Sequence, residues 1–123
     1  MGEKSMARIL IVDDAKFIRL TLTNILEKEN HQVIGEAENG EEAVQLYEKL
    51  NPDLVFMDIT MPVMNGVEAT KKIINQDPNA VIIMCSAMGQ HKVVVSAIEA
   101  GAKDFIVKPF DENRVLETVQ QFI

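Results

Sequence analysis

Three carboxylates, a hydroxyl and an ammonium stand where short apolar segments of the chain end. They are Asp13, Asp14, Asp58, Ser86 and Lys108. Two carboxylates about 4 Å apart repel each other by roughly 4 kcal/mol at an effective dielectric constant near 20. One lysine cannot balance three such charges, so a cluster of these residues requires raised carboxyl pKa values or a further cation. Carboxylate oxygens favour Mg²⁺, and the residue types therefore predict a Mg²⁺ site.

Several of these residues also have a purely structural interpretation. Asp14 could cap the helix that follows it, because aspartate is common at helix N-termini. Asp58 could be an ordinary turn residue, and Ser86 or Lys108 alone indicates little. A shared site follows only if all five residues lie at one edge of a sheet.

The apolar segments before these residues alternate with amphipathic patterns. Five segments are short, largely β-branched and bounded by Asp, Gly, Pro or Asn, which predicts strands. These segments are Ile9–Val12, Gln32–Ala37, Leu54–Met57, Val81–Cys85 and Phe105–Val107. Apolar residues at helical spacing follow each strand and predict five helices. The apolar stripes lie within 18–26, 43–50, 67–74, 93–98 and 115–122.

Five alternating strands and helices predict an α/β fold with a parallel sheet covered by helices on both faces. Right-handed crossovers make such a sheet doubly wound, and ligands bind beyond the carboxyl ends of its strands. We expect one domain over residues 8–123. Residues 1–7 are expected to be a natural N-terminal tail or a remnant of cloning, with Met6 as the true start.

Composition excludes several classes of protein. The 12 Lys and Arg against 19 Asp and Glu give a net charge of −7, which argues against direct binding to nucleic acid. A single cysteine excludes an intrachain disulfide and a thiolate zinc site. No apolar run approaches the roughly 18 residues of a membrane span, and no secretory signal opens the chain. We therefore expect a cytoplasmic protein without membrane insertion.

Four segments resemble the receiver domain of bacterial response regulators and occur in the order typical of that family. They are Ile9–Asp14, Met57–Gly66, Ser86–Ala87 and Lys108–Phe110. Two further segments, Cys85–Gln90 and Gly101–Phe110, are most similar to stand-alone, chemotaxis-type (CheY-like) receivers. The resemblance covers nearly the whole chain. It implies a flavodoxin-like (βα)5 sheet with strand order 2-1-3-4-5 and a cis peptide bond before Pro109.

The resemblance also implies a role for each residue at the strand ends. Asp58 would accept a phosphoryl group from a sensor histidine kinase or a phosphotransfer domain. Lys108 and Ser86 would contact the oxygens of that group. Mg²⁺ would be held by Asp13, Asp14, Asp58 and the backbone carbonyl of Thr60. On this basis the protein is not an enzyme acting on other molecules, because it would catalyse only its own phosphorylation and dephosphorylation.

A conformational switch is implied as well. Ser86 would turn toward the phosphoryl group, and Phe105 would rotate inward behind it. The surface of the fourth helix, fifth strand and fifth helix would then bind a target, either the flagellar motor switch protein or another protein. Ser86 stands where threonine is commoner but keeps the hydroxyl, so its contact with the phosphoryl group is expected to survive. Phe105 stands where tyrosine is frequent and lacks the hydroxyl, so partner affinity is expected to differ. We expect a monomer.

Two alternatives within the family stay open. The chain could be a receiver domain excised from a longer regulator, such as a DNA-binding one, or a phosphorelay intermediate. Its end at Ile123, without a linker or a basic segment, favours a stand-alone protein. Haloacid-dehalogenase phosphatases need a second acid at the position where Thr60 stands, which argues against an enzyme of that class.

Phe17 and Leu20 lie off the apolar stripe of the first helix and are either ordinary surface residues or a docking surface for the kinase.

Overall fold

The apolar segments form strands and the amphipathic segments form helices over residues 6–123, the part of the chain that this computed structural model describes. The elements are β1 (Arg8–Val12), α1 (Lys16–Glu27), β2 (Gln32–Ala37), α2 (Gly40–Leu50), β3 (Leu54–Asp58), α3 (Gly66–Gln76), β4 (Ile82–Ser86), α4 (His91–Glu99), β5 (Asp104–Val107) and α5 (Glu112–Phe122). Most of the predicted N-terminal tail, residues 1–5, lies outside the described residues.

The five strands form one parallel sheet in the order β2-β1-β3-β4-β5. This confirms the predicted fold class and strand order. The order reverses between β1 and β3, and the loops after these two strands therefore lie side by side at the carboxyl edge of the sheet. The bond between Lys108 and Pro109 is cis, as the resemblance implies.

Two hydrophobic cores cover the two faces of the sheet. In β1, Leu10 and Val12 face a core shared with α2, α3 and α4. Ile9 and Ile11 face the opposite core, shared with α1 and α5. Alternate side chains of a strand point to opposite faces, so the near-continuous apolar run of β1 is buried on both sides. The strand ends are thereby fixed between two layers of helices.

Some strand boundaries differ from the sequence-based prediction by one residue. β4 spans Ile82–Ser86, whereas Val81–Cys85 was predicted. Ser86 belongs to the strand because it pairs with Val107, and its carbonyl accepts a hydrogen bond from the Lys108 amide at 2.8 Å. β1 and β5 each begin one residue earlier than predicted, and β3 ends one residue later. None of the helices among residues 6–123 has the length and apolar character of a membrane span.

Candidate functional site

The ends of β1 and β3 bring three carboxylates together. Asp13 and Asp14 directly follow β1, and Asp58 is the last residue of β3. One carboxylate oxygen from each of the three lies within 4.8 Å of the other two. Asp13 and Asp58 are buried, whereas Asp14 is exposed. The structure thus forms an acidic cluster (Asp13, Asp14 and Asp58) with one open side.

The Lys108 ammonium reaches this cluster from the end of β5, which is an edge strand of the sheet. Its Nζ donates to Asp13 Oδ2 at 2.8 Å and to Asp58 Oδ1 at 3.1 Å. Lysine is long enough to reach β1 and β3 from the end of β5. Burial acts to lower the pKa of Lys108, but the hydrogen bond to Asp13 and the charge of Asp58 outweigh it and raise this pKa. Lys108 therefore stays charged at neutral pH.

One ammonium does not compensate three carboxylates. The pKa of Asp58 is raised, first by burial and then by the charge of Asp13, while Lys108 opposes the shift and Asp14 adds to it. The cluster therefore carries excess negative charge in a partly desolvated place, which favours binding of a cation. Its possible metal ligands are carboxylate oxygens, which are hard ligand atoms of the kind that Mg²⁺ prefers. The residues present therefore fit that ion.

Asp13 is held in place by both its side chain and its backbone. Its Oδ1 accepts a hydrogen bond from the Ala15 amide at 2.9 Å. Its carbonyl accepts a hydrogen bond from Arg19 Nη1 at 2.7 Å, and its amide donates to the Ala37 carbonyl at 3.0 Å. Arg19 is itself buried and paired with Glu36, its Nε donating to Oε1 at 2.8 Å. These bonds fix the turn that leads from β1 into α1.

Arg19 is a site residue that sequence reasoning missed. A signal was present, because Arg19 stands three residues before Leu22 and seven before Leu26, which places all three on one helix face. An arginine on an apolar face indicates a buried charge with partners. The interpretation of Asp14 as a helix cap is wrong: α1 has Ala15 at its N-cap and no side-chain cap.

The start of α3 passes close to Asp58 because its first residue is Gly66. A Cβ atom at this position would lie 2.1 Å from the backbone carbonyl oxygen of Asp58. The Gly66 amide donates to the carbonyl of Ile59 at 2.7 Å, which holds the loop between β3 and α3 against the end of β3. Thr60, whose carbonyl was predicted to bind Mg²⁺, lies in this loop and is exposed. A residue without a side chain is therefore required beside the acidic cluster.

The neighbouring part of the edge, at β4 and β5, contains a hydroxyl and a cavity. Ser86 is buried at the end of β4, and Phe105 in β5 is 39% exposed. A cavity of about 250 Å³ adjoins both residues and is also lined by Met88, Val94 and Val107. The two predicted switch residues thus line one cavity.

Two apolar side chains at the start of α1 are exposed. Phe17 is 75% exposed and Leu20 is 56% exposed, and they lie three residues apart on one helix face. Leu22, Ile25 and Leu26 of the apolar stripe are turned to the core, whereas Ile18 is only half-buried. The first turns of α1 therefore present an apolar surface beside the loop that holds Asp13 and Asp14.

Comparisons with known proteins agree with this arrangement. Residues 9–120 match the family described as response regulator receiver domain. Chemotaxis protein CheY of Thermotoga maritima is 59% identical over 114 residues, covering 93% of this chain and 95% of that protein. Protein CcdB of Bacillus subtilis is 58% identical over 116 residues, covering 94% and 97%.

Solved structures give the same result. The receiver domain of Thermotoga maritima CheB superposes with a TM-score of 0.88 at 35% identity and covers 96% of each chain. A chain in the CheX–CheY–BeF3–Mg²⁺ complex from Borrelia burgdorferi superposes with a TM-score of 0.87 at 43% identity, covering 93% of this chain and 87% of that one. The chain therefore belongs to the response regulator receiver domain family of two-component signalling, and it is similar to chemotaxis proteins of the CheY type.

Proposed function

We propose that Asp58 accepts a phosphoryl group from a phosphohistidine of a sensor histidine kinase or a phosphotransfer domain. The observation that carries this proposal is the contact of a buried carboxylate with Lys108 inside an under-compensated acidic cluster. An Asp58 oxygen attacks phosphorus while the phosphorus–nitrogen bond breaks and its electron pair returns to the imidazole. The product is an acyl phosphate, which water later hydrolyses to phosphate and the free carboxylate.

Positioning and charge compensation supply most of the catalysis of phosphoryl transfer. Lys108, 3.1 Å from Asp58 Oδ1, would pair with one oxygen of the phosphoryl group. The Ser86 hydroxyl would donate to another oxygen. When bound, Mg²⁺ compensates the charge of the carboxylates and polarises the phosphoryl oxygens. Asp13, Asp14, Asp58 and the backbone carbonyl of Thr60 would hold it.

The response of the protein would take place at α4, β5 and α5. Recruitment of Ser86 to the phosphoryl group leaves room for Phe105 to turn into the cavity that both residues line. The phosphoryl group shifts the population by binding one arrangement more tightly than the other. Exposed apolar side chains on this face, including Val95, Ile98 and Val107, offer a binding surface for a target.

The target we favour is the flagellar motor switch protein, with the protein acting as a chemotaxis messenger in the cytoplasm. The similarity to CheY proteins, 54% to 59% identical over most of the chain, supports this assignment. The CheX–CheY–BeF3–Mg²⁺ complex of a relative supports both Mg²⁺ binding and a protein partner. The exposed pair Phe17 and Leu20 is proposed as the contact with the kinase or phosphotransfer domain.

The phosphorylation step is tested with a small phosphodonor. The protein is incubated with acetyl phosphate and Mg²⁺, and intact mass and peptide mapping locate the acyl phosphate. We expect one phosphoryl group on Asp58, none in Asp58→Asn, and normal labelling in Asp53→Asn, since Asp53 lies before β3 at the other end of that strand. Labelling of Asp58→Asn equal to that of the unaltered protein would refute Asp58 as the acceptor.

The target is tested by capture from lysate with Mg²⁺, with and without beryllofluoride, an ion that mimics a phosphoryl group on aspartate. Capture of a flagellar motor component only with beryllofluoride supports the messenger role. Capture of kinase or phosphotransfer proteins alone, unaffected by the mimic, would favour a relay or an excised receiver. Asp58→Asn is the control and should lose the dependence on the mimic.

A further inference from the structure

Gln90 links two loops at the edge that bears the acidic cluster. Its Oε1 accepts a hydrogen bond from the Ala87 backbone amide at 2.7 Å. Its Nε2 donates to Thr60 Oγ1 at 3.4 Å, which is a long and therefore weak hydrogen bond. Ala87 directly follows β4 and Thr60 lies two residues beyond β3. One side chain thus ties the β4–α4 loop to the β3–α3 loop.

The position of this link matters because of its neighbours. Ala87 follows Ser86 directly, so an anion that accepts a hydrogen bond from Ser86 Oγ lies close to the next backbone amide. A backbone N–H is a strong donor to a charged phosphoryl oxygen. In the structure this N–H is bonded to Gln90 instead. An anion on Asp58 that recruits Ser86 and Ala87 must therefore displace the Gln90 side chain.

We propose that Gln90 is a positioning residue that latches the β4–α4 loop in the conformation seen here, and that this latch opposes capture of a phosphoryl group by the Ser86 side of the site. The proposal rests on the proposed function, since it assumes that the anion binds at Asp58. The latch sets the energetic threshold of the switch: the stronger its two hydrogen bonds, the more of the binding energy of the phosphoryl group is used to open it.

Geometry supports a latch more than a role in helix capping. Gln90 occupies the N-cap position of α4, but its side chain bonds no amide of the first helical turn. The Gln90 Oε1 accepts instead from the amide of Ala87, which precedes the helix. The Gln90 Nε2 donates to Thr60, which lies in the β3–α3 loop. The side chain is half-buried. Its loss is therefore expected to alter the loop connection without removing a helix cap.

The test measures beryllofluoride affinity by ¹⁹F NMR at saturating Mg²⁺. Gln90→Met keeps the length of the side chain and removes both hydrogen bonds. We expect it to bind beryllofluoride about two- to tenfold more tightly than the unaltered protein, the range that one hydrogen bond of ordinary net strength gives. His91→Ala, the exposed neighbour at the start of α4, is the matched control and should stay within about twofold. Equal or weaker binding by Gln90→Met overturns the proposal.

Two further measurements separate the latch from general loosening of the loop. Thr60→Val removes only the weaker bond and should tighten binding by less, with no added gain in the double variant with Gln90→Met. Independent gains would contradict a single bridging side chain. The amide ¹H shift of Ala87, recorded without anion, should move in Gln90→Met and stay unchanged in His91→Ala. An unmoved shift contradicts the bond itself.

Failure of the proposed function has a different signature. If the unaltered protein and Asp58→Asn bind beryllofluoride equally, the anion does not bind at Asp58, and the latch proposal falls together with the assigned acceptor. If only the unaltered protein binds and Gln90→Met matches it, the acceptor stands and the latch alone is wrong.

Discussion

The carboxyl edge of the sheet has two differently packed parts. All five residues of β3 are buried, whereas Ile106 is the only buried residue of the four in β5. Helix α1 buries four residues, Arg19 among them, and α4 buries Ala97 alone. We call β1 and β3 with α1 the acceptor half, and β5 with α4 the response half; β4, which lies between β3 and β5, is fully buried.

Under the proposed function, this difference in packing separates two tasks. A site that must bind a metal ion and a phosphoryl group needs fixed ligands, and Asp13 in the acceptor half is held by four hydrogen bonds to its side chain and backbone. A surface that must change shape needs weak packing, and the response half has exposed apolar side chains and a cavity beside Phe105. Lys108 connects the two, since it follows β5 and contacts both Asp13 and Asp58.

The largest expected difference in stability between the two halves is between alanine variants of two phenylalanines. Phe56 is fully buried in β3 and Phe105 is 39% exposed in β5. Phe56→Ala should cost about 4 kcal/mol of unfolding free energy, because it removes a large core side chain. Phe105→Ala should cost about 1 kcal/mol or less. Urea unfolding of both variants measures the difference, and equal losses would remove the distinction between the halves.

A pair of glycines, one at the start of α3 and one in the loop between β4 and α4, tests the same contrast. Gly66→Ala places a Cβ against the Asp58 carbonyl and should cost about 3 kcal/mol while weakening Mg²⁺ binding. Gly89 has φ of +86° and no atom within 4 Å of an added Cβ, so Gly89→Ala should cost only about 1 kcal/mol through backbone strain. Thermal unfolding and Mg²⁺ titration measure both effects. Unchanged Mg²⁺ affinity in Gly66→Ala would show that the start of α3 does not shape the acidic cluster.

Lys108 should stabilise the acceptor half at neutral pH. Lys108→Met leaves three carboxylates without their ammonium and should cost about 2 kcal/mol, less than for a fully buried pair because the lysine side chain is 22% exposed. The variant should also bind Mg²⁺ more tightly, because the competing cation is gone. Lys103→Met, at an exposed lysine, should change stability by less than about 0.5 kcal/mol. Weaker Mg²⁺ binding in Lys108→Met would contradict this electrostatic account.

Asp58→Asn should stabilise the protein without Mg²⁺, by about 1 kcal/mol at pH 7, because two charges about 4 Å apart repel by that much even in water. The pKa of Asp58 is raised by burial and Asp13, so its ionised form is disfavoured in the folded protein. The gain should be full above the folded pKa and vanish as the pH falls below the ordinary carboxyl value, where Asp58 is protonated in both states. Unfolding measured from pH 3.5 to 7 tests this trend; a gain independent of pH contradicts it.

Much of the site followed from the sequence because its residues stand at strand ends. The alternation of strands and helices is a local pattern, and parallel strands bring Asp13, Asp58 and Ser86 to one edge whatever the loops do. The alternation of strands and helices did not predict the contacts that long side chains make. The bond from Arg19 to the Asp13 carbonyl and the bridge of Gln90 depend on rotamers and loop geometry.

Strand boundaries show the same limit at smaller scale. Polar character placed Asp58 and Ser86 just outside their strands, but ladder pairing with the adjacent strand includes both. The close approach of Gly66 to the Asp58 carbonyl is also a tertiary contact, which no local pattern encodes.

The central claim is that a phosphoryl group on Asp58 changes the response half while the acceptor half stays fixed. It is tested most directly by ¹H–¹⁵N NMR with Mg²⁺, before and after addition of beryllofluoride. The account predicts shifts next to Asp58 and throughout α4 and β5, small shifts in the interior of β1 and β3, and none in Asp58→Asn. Shifts confined to the immediate neighbours of Asp58, or equal shifts in Asp58→Asn, would contradict it.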